Sequence, residues 1–190
     1  MTNGPRQPAK REPIVPNAVL GVIIFMLTEI MLFSGFVSAH TIAKTNVPAW
    51  PPLDQPRLPI EATAGNSVVL LLSGVALWWA GRQFAKDPAR ARTPFTISMA
   101  LGALFVAIQG YEWFNLVSEG LTLSSSTYGA FFYLIVGAHA IHAVGGLGAM
   151  LRLYVLSLRG QLEADGFWAG RIYWYFVVGL WPFLYYQVYL

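Results

Sequence analysis

Five long apolar stretches constrain this chain more than any other feature of its sequence. They cover about residues 17–43, 62–84, 93–117, 127–156 and 171–190. A bilayer core about 30 Å thick is crossed by roughly 20 apolar residues in an α-helix. Because lipid offers no hydrogen-bond partner, the backbone inside it must satisfy its own polar groups, which a helix does. The sequence therefore predicts an all-α membrane protein, a single domain at residues 17–190 built as a bundle of five transmembrane helices.

The composition excludes most other classes of protein. Charged residues make up 11% of the 190 residues and hydrophobic residues 56%, whereas a soluble domain carries about 25% charged residues. Such a chain cannot cover a water-facing surface, and it is too apolar to be disordered. The net charge of only +3 argues against a nucleic-acid partner. Cysteine is absent, so no disulfide, thiolate metal site or c-type haem attachment is possible.

Lysine and arginine residues mark alternate ends of the predicted spans. Residues 1–16 combine three basic residues with four prolines and are expected to form a mobile cytoplasmic tail. The segments after the second and fourth spans are also basic, whereas the other two loops hold only Lys44 and Arg57. Basic segments stay in the cytoplasm. We therefore predict a cytoplasmic N-terminus and a C-terminus outside, which agrees with an odd number of spans.

Titratable residues inside the predicted spans are few, and each is a candidate functional group because a charge in lipid is costly. Glu29 lies in the middle of the first span. It is either a carboxylate that hydrogen-bonds to a neighbouring helix or one that handles protons. Gln109 and Glu112 are three residues apart and share one helix face. Their spacing favours a polar packing seam over a direct role in transport.

His139 and His142 are also three residues apart, in the fourth span. Two imidazoles at this spacing can approach one metal ion, but zinc or copper needs further ligands. Glu29 or Glu112 would have to supply them. The favoured interpretation is that the histidines are neutral and hydrogen-bond across helices. No catalytic, cofactor-binding or metal-binding residue is predicted, and the sequence does not identify lipid-binding residues.

Four motifs occur in order along the predicted spans. The first is a Glu29-containing, aromatic-rich run at residues 25–36, and the second is the Asn66–Ser73 run. The third is Gln-x-x-Glu-aromatic at Gln109–Trp113, and the fourth is Gly-x-His-x-x-His-x-x-x-Gly at Gly137–Gly146. Together they resemble the motifs of subunit III of the haem-copper oxidases, the cytochrome c oxidase type, in its short five-helix bacterial form. The resemblance covers about residues 17–190.

The fifth motif departs from the pattern of that family. The family usually has Tyr-Trp-His-Phe-Val-Asp near the start of its last helix. Here Tyr175 replaces the histidine and Val178 replaces the aspartate. We therefore do not assign to this chain the polar contacts that an imidazole and a carboxylate would make at these two positions.

The resemblance implies an accessory, non-catalytic and cofactor-free subunit of a terminal respiratory oxidase in the bacterial inner membrane. Such a subunit packs beside oxidase subunits I and II, which hold the haem and copper, and could join a larger supercomplex. It holds phospholipid, supports proton uptake and protects the catalytic subunit during turnover. The residue at the position of Glu29 is the family's buried, carbodiimide-reactive carboxylate.

Three other functions stay open on sequence alone. One is a subunit-III-like protein associated with nitric oxide reductase, although Gln109 favours the oxidase branch. Another is a haem-binding membrane anchor, which needs histidines on separate helices, and only His40 lies apart from the other two. The last is a transporter, which would need broken helices and paired polar sites near the midplane. The electron donor, cytochrome c or quinol, and the haem type are not defined by this chain.

Overall fold

The computed structural model describes residues 15–190, and every regular element in that range is helical. The five helices are α1 (Asn17–Thr45), α2 (Ile60–Phe84), α3 (Arg92–Ser118), α4 (Thr127–Leu158) and α5 (Ala164–Tyr189). The predicted all-α fold with five helices is confirmed. The predicted tail lies almost entirely outside the described residues.

Four helices, α1 to α4, are long and apolar enough to cross a membrane. The last helix, α5, has 26 residues but is less apolar, because tyrosine and tryptophan rings fill much of it. It also begins at Ala164 rather than near residue 171, where the apolar stretch starts. The additional turns contain Asp165 and Trp168, residue types that suit the boundary between lipid and water.

Glycine and serine residues set several helix boundaries. Gly120 has a φ of +95° and Gly160 a φ of +67°, left-handed values that favour glycine just past a helix end. The residue after each glycine donates its backbone N–H back into the helix, as Leu121 does to the Leu116 carbonyl at 2.9 Å. At the start of α4, the Ser126 hydroxyl accepts a hydrogen bond from the Gly129 N–H at 3.1 Å. These contacts satisfy backbone groups that a helix leaves free at its ends.

The helices α2, α3, α4 and α5 form a closed ring in which each packs against the next. Helices α3 and α4 are antiparallel, because the start of α3 meets the end of α4, where Arg92 donates to the Ser157 carbonyl at 2.8 Å. Helix α1 packs outside the ring, against α4 and α5. Only Val19, Phe33 and His40 of α1 are buried, so this helix presents most of its apolar surface outward.

Trp174 of α5 lies at the centre of the ring and is completely buried. Its indole Nε1 donates to the Ser73 hydroxyl of α2 at 3.1 Å. Two glycines, Gly102 of α3 and Gly146 of α4, lie against the ring faces and edges of the indole. A Cβ added at Gly102 would lie 2.6 Å from Trp174 Cζ2. Small residues let membrane helices approach closely, and here they make room for one large side chain shared by four helices.

Serine hydroxyls extend this centre along α2. The Ser98 hydroxyl of α3 donates to the Ser73 carbonyl at 2.8 Å. Nearly two turns closer to the start of α2, the Trp181 indole donates to the Ser67 hydroxyl at 2.8 Å. Polar contacts of this kind hold helices together where lipid removes the hydrophobic driving force between them.

The substitution Gly102→Ala should destabilise the bundle by about 1–3 kcal/mol, because the added methyl group overlaps a buried indole that has no space to move. Gly145→Ala is the matched control, since no atom lies within 4 Å of a Cβ added there. Its effect should stay within about 0.5 kcal/mol. Unfolding in detergent, followed by tryptophan fluorescence, measures both. Equal stability of the two variants would contradict the central role of Trp174.

Candidate functional site

Glu29 of α1 and His142 of α4 form a pair at the middle of the bundle. Glu29 Oε2 lies 2.8 Å from His142 Nε2, and the two side chains are 12% and 14% exposed. Each residue lies within about 3 Å, along its own helix axis, of the helix midpoint. This pair therefore attaches the peripheral helix to the ring at a depth where no aqueous partner is close.

The second ring nitrogen of His142 makes a contact within its own helix. His142 Nδ1 is 2.7 Å from the Ala138 carbonyl oxygen. A carbonyl oxygen only accepts hydrogen bonds, so Nδ1 carries a hydrogen. His142 Nε2 and the Glu29 carboxylate are then close enough for a polar contact between α4 and α1.

Aromatic rings enclose the pair. The Phe33 ring contacts His142 edge-on, with a centroid distance of 5.5 Å, and Phe25 stacks over the same imidazole at 6.3 Å. The Tyr173 hydroxyl donates to the His142 backbone carbonyl at 3.2 Å. These rings cover part of the pair, whose side chains are mostly buried.

A second polar cluster joins α2, α3 and α5 nearer the end of the bundle where α3 terminates. Glu112 Oε2 accepts hydrogen bonds from the Thr63 hydroxyl at 2.8 Å and from Gln109 Nε2 at 3.1 Å. The same Gln109 nitrogen lies 3.2 Å from the Tyr189 hydroxyl. All four side chains are buried. The seam expected from the spacing of Gln109 and Glu112 is thus a network that ties together three helices.

Glu112 also borders a cleft of about 330 Å³ between α2 and α3, which contains Arg57 and Glu119 near its rim. Glu112 Oε1 is buried without a hydrogen-bond partner. Buried polar atoms rarely stay unpaired, so this oxygen is free to accept a hydrogen bond from a bound water.

His139 faces away from His142, toward α3 and α5. Its ring lies 4.9 Å from the Trp181 ring, measured between centroids, and neither ring nitrogen has a hydrogen-bond partner. Of the two histidines, only His142 has a ring nitrogen close to a polar side chain of another helix, Glu29 of α1. Within residues 15–190, no group of three or more metal-ligating side chains converges, and the two imidazoles face different helices.

Tyr175 and Val178, the two departures from the family motif, make their own contacts. The Tyr175 hydroxyl accepts a hydrogen bond from Arg171 at 3.3 Å. Val178 packs against Gly74 of α2, where an added Cβ would lie 3.1 Å from Val178 Cγ1. An apolar residue suits this close contact between α2 and α5, so the missing carboxylate leaves no unpaired partner there.

Two members of the Glu112 network were not predicted from sequence. Thr63 could have been found, because Thr63, Asn66 and Ser73 recur on one face of α2 at helical spacing. Tyr189 carries no such signal, since it is one of several tyrosines near the end of α5. Only the packing of α5 against α2 and α3 shows which of these hydroxyls is buried.

The fold and these sites define a multi-pass helical membrane protein whose polar chemistry lies between helices. The family described as cytochrome c oxidase subunit III matches residues 8–190. The chain belongs to the cytochrome c oxidase subunit III family. This is a family not known to bind metal cofactors itself.

Curated relatives agree with the family match. A probable cytochrome c oxidase subunit 3 of Nocardia farcinica is 33% identical over 92% of this chain and 88% of its own length. A cytochrome c oxidase subunit 3 of Synechocystis is 31% identical over 90% of this chain and 75% of its own length. The subunit of Hippopotamus amphibius is 30% identical, with 93% of this chain and 71% of the relative covered.

Family membership makes the chain an accessory subunit III of a haem-copper oxidase, a membrane component of respiratory electron transport. It belongs to an oxidase complex together with other subunits. The alternatives that the sequence left open, a nitric oxide reductase partner, a haem anchor or a transporter, are not favoured, since the relatives named above are cytochrome c oxidase subunits.

Glu29→Ala and His142→Ala should each weaken the attachment of α1, and the double variant should cost little more than either single change. The expected coupling energy is about 1–3 kcal/mol, typical of a buried hydrogen bond to a strongly polar group. Unfolding free energies of the four proteins of the cycle, measured in detergent, give this quantity. Glu29→Ala combined with Gln109→Ala is the control and should be additive, because Gln109 bonds within a separate network. Additivity of the Glu29 and His142 changes would show that they do not interact.

Proposed function

We propose that this subunit seals the flank of the oxidase and holds a proton-sharing pair close to the proton-uptake pathway of its neighbour. The observation that carries the proposal is the Glu29–His142 pair, whose Oε2 and Nε2 atoms lie 2.8 Å apart in the middle of the bundle. The pair lies where the peripheral helix α1 meets the ring. It can therefore respond to a neighbour that packs on α1.

The outward surface of α1 supports a sealing role. Large apolar side chains project from it, and Met31, two residues from Glu29, is 76% exposed. A broad apolar face with so few charges suits lipid tails or another membrane helix equally well. For this surface we propose two kinds of partner: phospholipid, and the helices of oxidase subunits I and II, which would carry the haem and copper. The whole assembly can be part of a larger supercomplex.

The distribution of basic residues supports the proposed orientation. The bundle end that holds the start of α3 carries seven lysine and arginine residues, namely Arg82, Lys86, Arg90, Arg92, Arg152, Arg159 and Arg171. The opposite end carries Lys44 and Arg57. By the positive-inside rule the first end is cytoplasmic, and the membrane we propose is the bacterial inner membrane.

Helix α5 is proposed as the fifth span. It packs along α1, α2 and α4, and Trp174 and Trp181 lie completely buried within the ring. A helix that packs along membrane-spanning helices crosses the same thickness as they do. The buried indole N–H groups of α5 bind serines of α2 and therefore need no partner in lipid. Residues 17–190 then form one transmembrane domain.

Glu29→Gln and Glu29→Ala separate the structural and protonic roles of the pair. The glutamine can still donate a hydrogen bond to His142 but cannot exchange a proton with it, so the complex should assemble normally. Its proton uptake should slow by roughly two- to fivefold, as expected for a change of ~0.5–1 kcal/mol in an interaction with the uptake pathway. The alanine variant should also shorten the turnover lifetime of the oxidase.

Proton uptake and oxygen consumption of the purified complex in vesicles provide the measurement. Glu119→Gln, an exposed carboxylate at the end of α3, is the matched control and should behave as the parent protein. Normal uptake and lifetime in both Glu29 variants would remove the proposed role.

The absence of cysteine allows orientation to be tested directly. In intact cells, Ser124→Cys in the loop between α3 and α4 should react with a membrane-impermeant maleimide, whereas Lys86→Cys should react only after the membrane is opened. Gln161→Cys, in the loop before α5, should behave like Lys86→Cys, and Gln187→Cys near the end of α5 should behave like Ser124→Cys. Labelling of Gln161→Cys and Gln187→Cys from the same side would show that α5 does not span the membrane.

A further inference from the structure

Arg171 is a cation of α5 that has no acidic partner. It lies about two turns from the start of the helix, and its Nη2 donates to the Tyr175 hydroxyl at 3.3 Å. In the part of the chain that the structure describes, no carboxylate oxygen lies within 4.0 Å of the guanidinium. Arg171 keeps part of its surface accessible. A guanidinium carries five N–H donors, so its Nη1 edge can bind an anion from outside the bundle.

The packing of α2 and α5 fixes the position of this guanidinium. The rings of Phe167 and Tyr175, one turn before and one turn after Arg171, have centroids 5.6 Å and 5.7 Å from its Cζ. Aromatic faces attract a guanidinium. On the α2 side, a Cβ added at Gly81 would overlap the group. The two rings and the missing side chain at Gly81 therefore form a seat for one cation.

The depth of this seat matches the phosphate layer of a bilayer. Gly81 lies about 13–14 Å from the midpoint of α2, measured along the helix axis. The surface of the hydrocarbon core is about 15 Å from its centre. The next residue, Arg82, holds its Cζ 4.4 Å from the centroid of the Trp78 ring, so a second guanidinium lies at the same end of α2. Guanidinium groups bind phosphate oxygens strongly.

An apolar groove continues from Arg171 along α5. Helices α1 and α2 both pack against α5 but not against each other, so one face of α5 lies open between them. That face carries Arg171, Tyr175, Gly179 and Pro182 at helical spacing, and the last two are exposed. The distance from Arg171 to Pro182 along the axis is about 16 Å, close to half the thickness of the hydrocarbon core. The groove therefore has the length of one acyl chain.

Charge and shape together indicate which anion fits. A soluble phosphate would use the guanidinium but leave the apolar groove uncovered. A zwitterionic lipid carries its own ammonium group beside the phosphate, which weakens its attraction to a basic surface. The end of the bundle around Arg171 is the one rich in lysine and arginine, and such ends attract anionic lipids. The occupant that satisfies both features is a lipid with a net negative headgroup.

We propose that Arg171 binds the phosphate group of an anionic phospholipid whose acyl chain lies along α5 between α1 and α2. The Nη1 edge donates to the phosphate oxygens, and Arg82 adds positive charge nearby. The proposal rests on the proposed crossing of the membrane by α5. It defines a lipid site separate from the outward surface of α1, and it does not depend on the Glu29–His142 pair.

The test uses the purified oxidase complex, depleted of lipid in detergent and titrated with phosphatidylglycerol that carries a photoactivatable group in one acyl chain. The label should map to α5 around Gly179. Arg171→Gln should lower the apparent affinity by about five- to tenfold, as expected for the loss of one cation at a phosphate. Arg171→Lys keeps the charge but lacks the planar fork, so its affinity should lie between those of the glutamine variant and the parent complex.

Two further variants separate position from charge. Gly81→Ala leaves the charge unchanged, but its methyl group displaces the flexible end of Arg171 and not the backbone. The variant should fold and should lose affinity as Arg171→Gln does. Arg159→Gln is the matched control, because it removes an exposed arginine from the same end of the bundle. Its affinity should equal that of the parent complex.

Several results would overturn the proposal. Equal affinities of Arg171→Gln and Arg159→Gln would show that Arg171 has no special part. Full competition by inorganic phosphate would indicate a site for a free anion, and equal competition by phosphatidylcholine would show that the groove takes acyl chains alone.

Two outcomes would identify a different occupant or a different lipid site. Absence of label from α5, together with loss of a neighbouring subunit in Arg171→Gln, would show that an acidic residue of that subunit binds Arg171. Label on α1 alone would leave the lipid contact proposed for its outward surface intact and remove the site at Arg171.

Discussion

Inside a bilayer, a carboxylate or imidazole has no water to bind, and the arrangement of this bundle follows from that constraint. Glu29 bonds to His142 across α1 and α4, and Glu112 accepts from Thr63 and Gln109 across α2 and α3. Glu29 and Glu112 each thereby select a partner on a neighbouring helix. Helices that would otherwise slide past one another acquire a defined register, because an unpaired polar group in hydrocarbon costs several kcal/mol.

Close packing between helices contributes to their association in addition to the polar pairs. Between apolar helices in lipid there is little hydrophobic drive, so association depends on contact area and fit. Trp174 provides the largest such contact, because glycines of α3 and α4 remove the side chains that would otherwise occupy its place. The ring of four helices is therefore rigid at its centre, while α1 is held mainly by one pair and by aromatic contacts.

The histidines of α4 illustrate how one helix serves two faces. Two side chains three residues apart point about 60° from each other around the helix axis. His142 therefore faces α1, while His139 faces α3 and α5. One imidazole lies against a carboxylate of α1, and the other borders a pocket and has no hydrogen-bond partner.

The length of the apolar stretches determined the all-helical fold, because hydrocarbon permits few backbone structures. The spacing of Gln109 and Glu112 determined that these two side chains share a helix face. The family was also evident from motif order. The partner of Glu29, the separation of His139 from His142 and the burial of Tyr189 depended on which helices became neighbours. The sequence of an apolar helix says little about which helix it packs against, because the apolar surfaces of different helices are chemically alike. Only the tertiary structure decided these contacts. Trp174 fits against Gly102 and Gly146, and this packing aligns the polar pairs.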